Sequence, residues 1–174
     1  LSAAGASTTA LDISQSRLQR LHENLDRTGL KADIIVADAR AHGRTDYDVV
    51  VLDAPCSATG TIRRHPDLPF AKDGAQFSAL FDLQAQLLDH ALERMAAHGR
   101  LVYCTCSLLP DEGEAQIENA LQKHPSLRVD HSALDKDFIA QEWRVAELGL
   151  RLRPDFWAEH GGMDGFFITV LRWA

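Results

Sequence analysis

The chain has 174 residues, 45% of them hydrophobic and 25% charged, with a formal net charge of −7. That length suits one domain with one core, and no apolar run reaches the ~20 residues that a membrane-spanning helix needs. The acidic balance weighs against a broad basic nucleic-acid face, and three cysteines are too few for a secreted disulfide framework, which points to a reducing cytoplasm and free thiols.

Ala6 to Leu11 is a strand candidate ending at Asp12, and Ser14 then stands where a helix N-cap belongs. Leu18, Leu21 and Leu25 recur at helical spacing, which predicts a helix to about Thr28 closed by Gly29. Asp33 to Ala37 predicts a second strand ending at Asp38. Tyr47 to Leu52 predicts a third. Its Val49-Val50-Val51-Leu52 run has the composition of a strand buried in a parallel sheet.

A long loop is expected from Pro55 to about Gly74. An amphipathic helix follows from about Gln76 to Ala97, ended by Gly99, and Arg100 to Thr105 is the fourth strand. Pro110 is expected to open another helix, with Asp111, Glu112 and Glu114 near its positive end. Pro125 stops that helix. Leu127 to Val129 is a short strand, His131 to Gly162 is expected to be irregular, and Phe166 to Trp173 is an apolar closing strand.

This alternation predicts an α/β fold, a mostly parallel Rossmann-like sheet with an antiparallel C-terminal strand. Such sheets open with a strand and a glycine-rich turn before the strand that ends in Asp12. Neither is present here, and Leu1 to Gly5 has the look of the tail of the helix that would follow. The expectation is therefore a truncated piece of a larger domain, spanning residues 1–174.

Two strand ends carry chemistry. Asp53-Ala54-Pro55-Cys56 follows the third strand, and Thr105-Cys106-Ser107 ends the fourth. In open α/β sheets ligands bind at the carboxyl edge of the strands, so two thiols and a carboxylate are expected at one edge. Pro55 stiffens the exit from its strand. Cys104 lies within the fourth strand, on the face opposite Tyr103 and Thr105, and is expected to be a small core residue. A pair of close thiols could be a redox couple, bind metal or divide a nucleophilic mechanism. No Cys-x-x-Cys and no neighbouring histidine pair supports the first two. Asp12 and Asp38 either cap the following turn or accept the hydroxyls of a ribose. Arg63-Arg64-His65 either grips phosphates or forms internal salt bridges, for example Arg64 with Asp67. Aromatic residues are few, and none is interleaved with basic ones to make a stacking platform.

The stretch Asp53-Ala54-Pro55-Cys56-Ser57-Ala58-Thr59-Gly60-Thr61-Ile62-Arg63-Arg64-His65-Pro66-Asp67 resembles the RNA cytosine-5 methyltransferases of the NOL1/NOP2/Sun family, nearest to its Sun branch of bacterial small-subunit ribosomal RNA enzymes. Leu101 to Glu112 resembles the second cysteine motif of that family, and Met163-Asp164-Gly165-Phe166-Phe167 resembles its ending. The resemblance implies an S-adenosylmethionine-dependent enzyme of the cytoplasm that acts on ribosomal RNA without a metal. It implies Cys106 as the nucleophile that adds to carbon 6 of cytosine, and Cys56 as the cysteine that assists breakdown of the adduct. Asp53 would contact the cytosine edge and lie beside the cofactor, and Asp12 and Asp38 would hold its ribose and adenine parts. A nucleophilic thiolate needs a depressed pKa, for which the helix expected at Pro110 offers its positive end. A non-catalytic RNA-binding remnant and a methyltransferase of proteins or amino groups are the other readings. The second would place an aromatic residue where Cys56 stands.

Overall fold

The computed structural model describes residues 1–71 and 74–174. Lys72 and Asp73, in the segment expected as a long loop, lie outside the described residues. The chain forms two compact units, Leu1–Arg44 and Thr45–Ala174.

The first unit holds strand β1 (Thr9–Asp12), helix α1 (Gln15–Thr28) and strand β2 (Asp33–Val36). β1 and β2 pair in parallel, with Asp12 opposite Val36. The helix begins where the sequence predicts, because Ser14 accepts the Arg17 N–H. It ends at Gly29 in the left-handed conformation, φ 69°, which glycine adopts without strain. Leu1 to Gly5 is a single 3₁₀ turn, Ser2–Ala4.

The second unit contains strand β3 (Tyr47–Asp53), helices α2 (Leu68–Ala71) and α3 (Phe77–Arg94), and strand β4 (Met95–Thr105). Helix α4 (Glu114–Lys123), strand β5 (Leu127–Val129), helix α5 (His131–Leu134) and strands β6 (Arg144–Val145), β7 (Gly149–Leu152) and β8 (Phe166–Trp173) complete it. The sheet order is β3-β4-β8-β7-β6, with β5 also paired to β8. β3 and β4 are parallel, and β8 is antiparallel to β4, β5 and β7. Parallel strands closed by an antiparallel final strand are what the alternation predicts. Helix α3 buries Leu88, Ala91 and Leu92 in a core shared with Leu101, Tyr103, Ile117, Phe167 and Leu171.

Five expectations change. The segment expected as a long loop holds a 3₁₀ turn at Thr59–Thr61 and helix α2. Val49 and Val51 are exposed, at 46% and 51%, because they share the sheet face opposite the one on which Val50 and Leu52 pack against the core. Helix α3 stops at Arg94, and Gly99 lies inside β4, beside an irregularity in its register with β3. A Cβ on Gly99 would lie 2.7 Å from the Tyr47 carbonyl, so close backbone approach rather than helix termination explains the glycine. Pro110–Glu112 is a 3₁₀ turn, and α4 starts only at Glu114. The stretch expected to be irregular contains α5, β6 and β7, elements too short to leave a periodic signature.

Candidate active site

β3 and β4 end together. Asp53 stands opposite Cys104, and the Ala54 N–H donates to the Cys104 carbonyl at 3.0 Å. The chain then turns through Pro55 and brings Cys56 back over the end of β4. There the Cys56 and Cys106 Sγ atoms lie 3.4 Å apart. Both side chains are partly buried and neither is in a disulfide.

This contact divides the two thiols electrostatically. A thiol hydrogen bond from Cys56, together with its own backbone N–H, lowers the pKa of Cys106 to about 7 against the opposing effect of burial. The same contact, with burial, raises the pKa of Cys56. One proton leaves the pair readily and the other is held between the sulfurs. The lowering comes from the neighbouring thiol, not from a helix terminus at Pro110, where the chain makes only a 3₁₀ turn.

Cys104 is half-buried, not a core residue, because it shares the open face of β4. Its sulfur faces the Leu52 carbonyl at 3.7 Å and Asp53 Oδ1 at 3.9 Å. Burial, first, and the Asp53 charge push its pKa up to about 12. Tyr103 and Thr105 point the other way and are fully buried.

Beneath the thiols lies a polar network that sequence reasoning missed. Glu112 is fully buried. Its carboxyl oxygens accept the Ser57 N–H at 2.8 Å, the Ser57 hydroxyl at 2.5 Å and Gln84 Nε2 at 3.0 Å. Gln84 Nε2 also donates to the Pro55 carbonyl at 2.9 Å. The hydroxyls of Ser57, Thr59 and Ser107 lie 3.2 Å from one another. Thr59 and Ser107 also accept the Leu108 and Leu109 N–H groups. The only sequence signal was a carboxylate two residues after Pro110, in a place that equally suits a solvated helix start.

The third motif joins the same assembly. The Gly60 N–H donates to the Cys106 carbonyl at 2.9 Å, and the Gly165 N–H donates to the Gly60 carbonyl at 2.8 Å. Arg151, from β7, donates to the Ser107 carbonyl and pairs with Glu114 through two nitrogens of its fork. Arg64 binds Asp164 through Nε at 2.8 Å and Nη2 at 2.7 Å, so its internal partner is Asp164 and not Asp67. Arg63 donates to the Gly161 carbonyl, and His65 is exposed.

In the first unit, Asp12 Oδ1 accepts the Ser14 N–H at 2.7 Å and meets Arg17 at 2.9 Å. Asp38 accepts the Arg40 N–H at 2.9 Å and pairs with its guanidinium. Both aspartates stand at the carboxyl edge of the β1–β2 pair, and both do the capping work that was the simpler alternative.

The chain matches the family 16S rRNA methyltransferase RsmB/F over residues 1–172. It belongs to this family. Its relatives include ribosomal RNA small subunit methyltransferase B of Salmonella arizonae, 42% identical over 170 residues, a match that covers 95% of this chain and 36% of the relative. Among solved structures it resembles PH0851, with a TM-score of 0.83 and 30% identity over 96% of this chain and 37% of the other. It also resembles NSun6 from Pyrococcus horikoshii, solved with SFG, with a TM-score of 0.80 and 26% identity over 97% of this chain and 41% of the other. The chain therefore spans little more than a third of the length of these relatives.

The RsmB/F family consists of methyltransferases dependent on S-adenosylmethionine, and the fold of this chain is of that type. The donor set at the β1–β2 edge fits a nucleoside. Asp12 and Asp38 present partly exposed carboxylates, while ribose hydroxyls and an adenine amine donate. Among the described residues no group of three or more His, Cys, Asp or Glu side chains is arranged to hold a metal ion, and no helix is long and apolar enough to cross a membrane.

Proposed function

We propose that residues 1–174 form part of the catalytic domain of an enzyme that methylates carbon 5 of a cytosine in small-subunit ribosomal RNA through a covalent bond to Cys106. The observation that supports this is the 3.4 Å approach of Cys56 and Cys106 at the shared end of two parallel strands, beside Asp53.

Carbon 5 of cytosine is a weak nucleophile. Cys106, with its lowered pKa, supplies a thiolate near neutral pH, and addition of its sulfur to carbon 6 moves an electron pair onto carbon 5. S-adenosylmethionine, when bound, supplies the electrophilic methyl group. Asp53 accepts from the N3 and N4 edge of the base and stabilises the proton that N3 takes up as the adduct forms. Water takes the carbon 5 proton, the electron pair re-forms the carbon 5–carbon 6 double bond and expels the Cys106 sulfur, and N3 gives its proton back to water. Cys56, protonated because its pKa is raised, donates to that departing thiolate across 3.4 Å. Asp12 and Asp38, both at the β1–β2 edge, would hold the ribose and adenine parts of the cofactor. Arg63, Arg64 and His65 meet RNA phosphates; Arg64 stays 61% exposed although Asp164 holds one side of it. The cytoplasm is the compartment that keeps these thiols reduced.

The experiment is covalent trapping. The full chain is incubated with S-adenosylmethionine and ribosomal RNA carrying 5-fluorocytosine, whose fluorine blocks release, and the crosslink is mapped by mass spectrometry. An adduct on Cys106 supports the reading. An adduct on Cys56 exchanges the two roles, and bound cofactor with no adduct on either cysteine removes the covalent cytosine mechanism.

A further inference from the structure

The two thiols come from segments that a single buried side chain ties together. The Glu112 carboxyl group holds the Cys56 side. It takes the Ser57 N–H and hydroxyl, and it shares Gln84 with the Pro55 carbonyl. The Glu112 backbone holds the Cys106 side. Its carbonyl accepts the Tyr103 hydroxyl at 3.0 Å and the Thr105 hydroxyl at 3.2 Å, from the last residues of β4. Ser57 closes the ring through its 3.2 Å contact with Ser107.

We infer that Glu112 is a positioning residue: it clamps Pro55 and Ser57, the two neighbours of Cys56, against the end of β4 and so sets the distance between the Cys56 and Cys106 sulfurs. The inference rests on the reading of these cysteines as the catalytic pair. The burial of Glu112 argues for a specific task. A carboxyl group taken wholly out of water is costly, and here three donors meet it with no cation among them. A hydrophobic side chain could fill the space, but it could not bind both the Pro55–Ser57 turn and, through Gln84, helix α3.

The consequence is measurable because the sulfur contact controls the acidity of Cys106. The groups facing Cys106 are Cys56 on its turn, Asp53 at the end of β3, Cys104 on β4, Glu112 beneath, and Arg64 from the segment after Gly60. The Cys56 hydrogen bond is the largest effect and lowers the pKa, while the Glu112 charge raises it. Position and charge at Glu112 therefore act with opposite signs. Glu112→Gln removes the charge yet preserves the turn, since its amide oxygen accepts from Ser57 N–H and Gln84 and its amide nitrogen donates to the Ser57 hydroxyl. Glu112→Ala removes both.

The test is the pH dependence of iodoacetamide alkylation at Cys106 in the full chain, resolved from Cys56 and Cys104 by peptide mass. For Glu112→Gln the midpoint is expected at or below that of the unsubstituted chain. For Glu112→Ala it is expected to rise by about one pH unit, which is about a tenfold smaller thiolate fraction below the midpoint. If circular dichroism shows that Glu112→Ala does not fold, Ser57→Ala carries the test, because it keeps the charge, loosens the turn and raises the midpoint by a smaller step. An alanine midpoint at or below that of glutamine, or no rise in Ser57→Ala, overturns the inference. Neither outcome depends on methyl transfer, so failure here is distinct from failure of the trapping experiment.

Discussion

Gly60 and Gly165 meet backbone to backbone. A Cβ on Gly60 would collide with the Gly165 carbonyl oxygen and lie 2.9 Å from that of Cys106. The glycine is required by this contact, where the first cysteine motif, the second and the chain's closing motif cross. Gly60→Ala is therefore expected to destabilise the second unit by about 1–3 kcal/mol or more, as overpacking against rigid backbone does. It also pushes the Cys106 carbonyl away. Chemical denaturation monitored by tryptophan fluorescence checks the first effect. An unchanged midpoint would mean that the backbones separate at little cost.

The two cysteines have opposite expected phenotypes. On the proposed mechanism Cys106→Ala removes the sulfur that bonds to the base, so no adduct is expected on 5-fluorocytosine RNA. Cys56→Ala leaves that sulfur and removes the donor to it as it departs. Adduct then accumulates on ordinary cytosine RNA, and turnover falls by about 10²-fold or more, the usual scale for losing a positioned proton donor. Denaturing gel electrophoresis of the protein–RNA complex distinguishes the two. Accumulation with Cys106→Ala instead would reverse the roles.

Acidity gives a separate check. The Cys106 pKa is lowered to about 7, chiefly by the Cys56 hydrogen bond, so its alkylation rate rises through neutral pH and levels off above it. Below that pH the thiolate is protonated and reactivity is lost. Cys56→Ala removes the largest lowering effect and leaves burial and Asp53, both of which raise the pKa. The midpoint is expected to move up to or beyond the free-thiol value of about 8.5. A midpoint that stays near neutrality would assign the lowering to the backbone instead.

The sequence carried the strand ends, because each motif follows an apolar run whose length and β-branching mark a strand. It carried the helix α1 boundaries through Ser14 and Gly29. It placed Cys56 and Cys106 at one edge, but not within contact distance, since that depends on the turn through Pro55 and on hydrogen bonds to Ser57. Glu112 was invisible as a buried group because its neighbours Asp111 and Glu114 make it look like one of three solvated acids. Arg64 was recognised as a possible ion-pair partner, yet Asp164 lies 100 residues away and no local spacing indicates it. The elements after His131 were missed for a similar reason. β6 and β7 are short, and their pairing is fixed by β8 rather than by their own periodicity.

Arg151 of β7 braces the turn that carries Cys106. Its side chain is only 9% exposed, lies over the Phe167 ring at 5.1 Å, pairs with Glu114 and donates to the Ser107 carbonyl. Arg151→Ala strands the Glu114 carboxylate in a site that is only 19% exposed and leaves the Ser107 carbonyl without that donor. Breaking one side of a buried pair costs about 3–5 kcal/mol, more than an exposed pair could contribute. Arg151→Met with Glu114→Gln removes both charges and fills much of the volume. It is expected to recover most of that loss but not all, because nothing replaces the donor to Ser107. The residual deficit measures what the arginine gives to the turn that carries Cys106. Urea denaturation of the single and double variants checks this, and a double variant no more stable than Arg151→Ala would show that the ion pair is not what the site depends on.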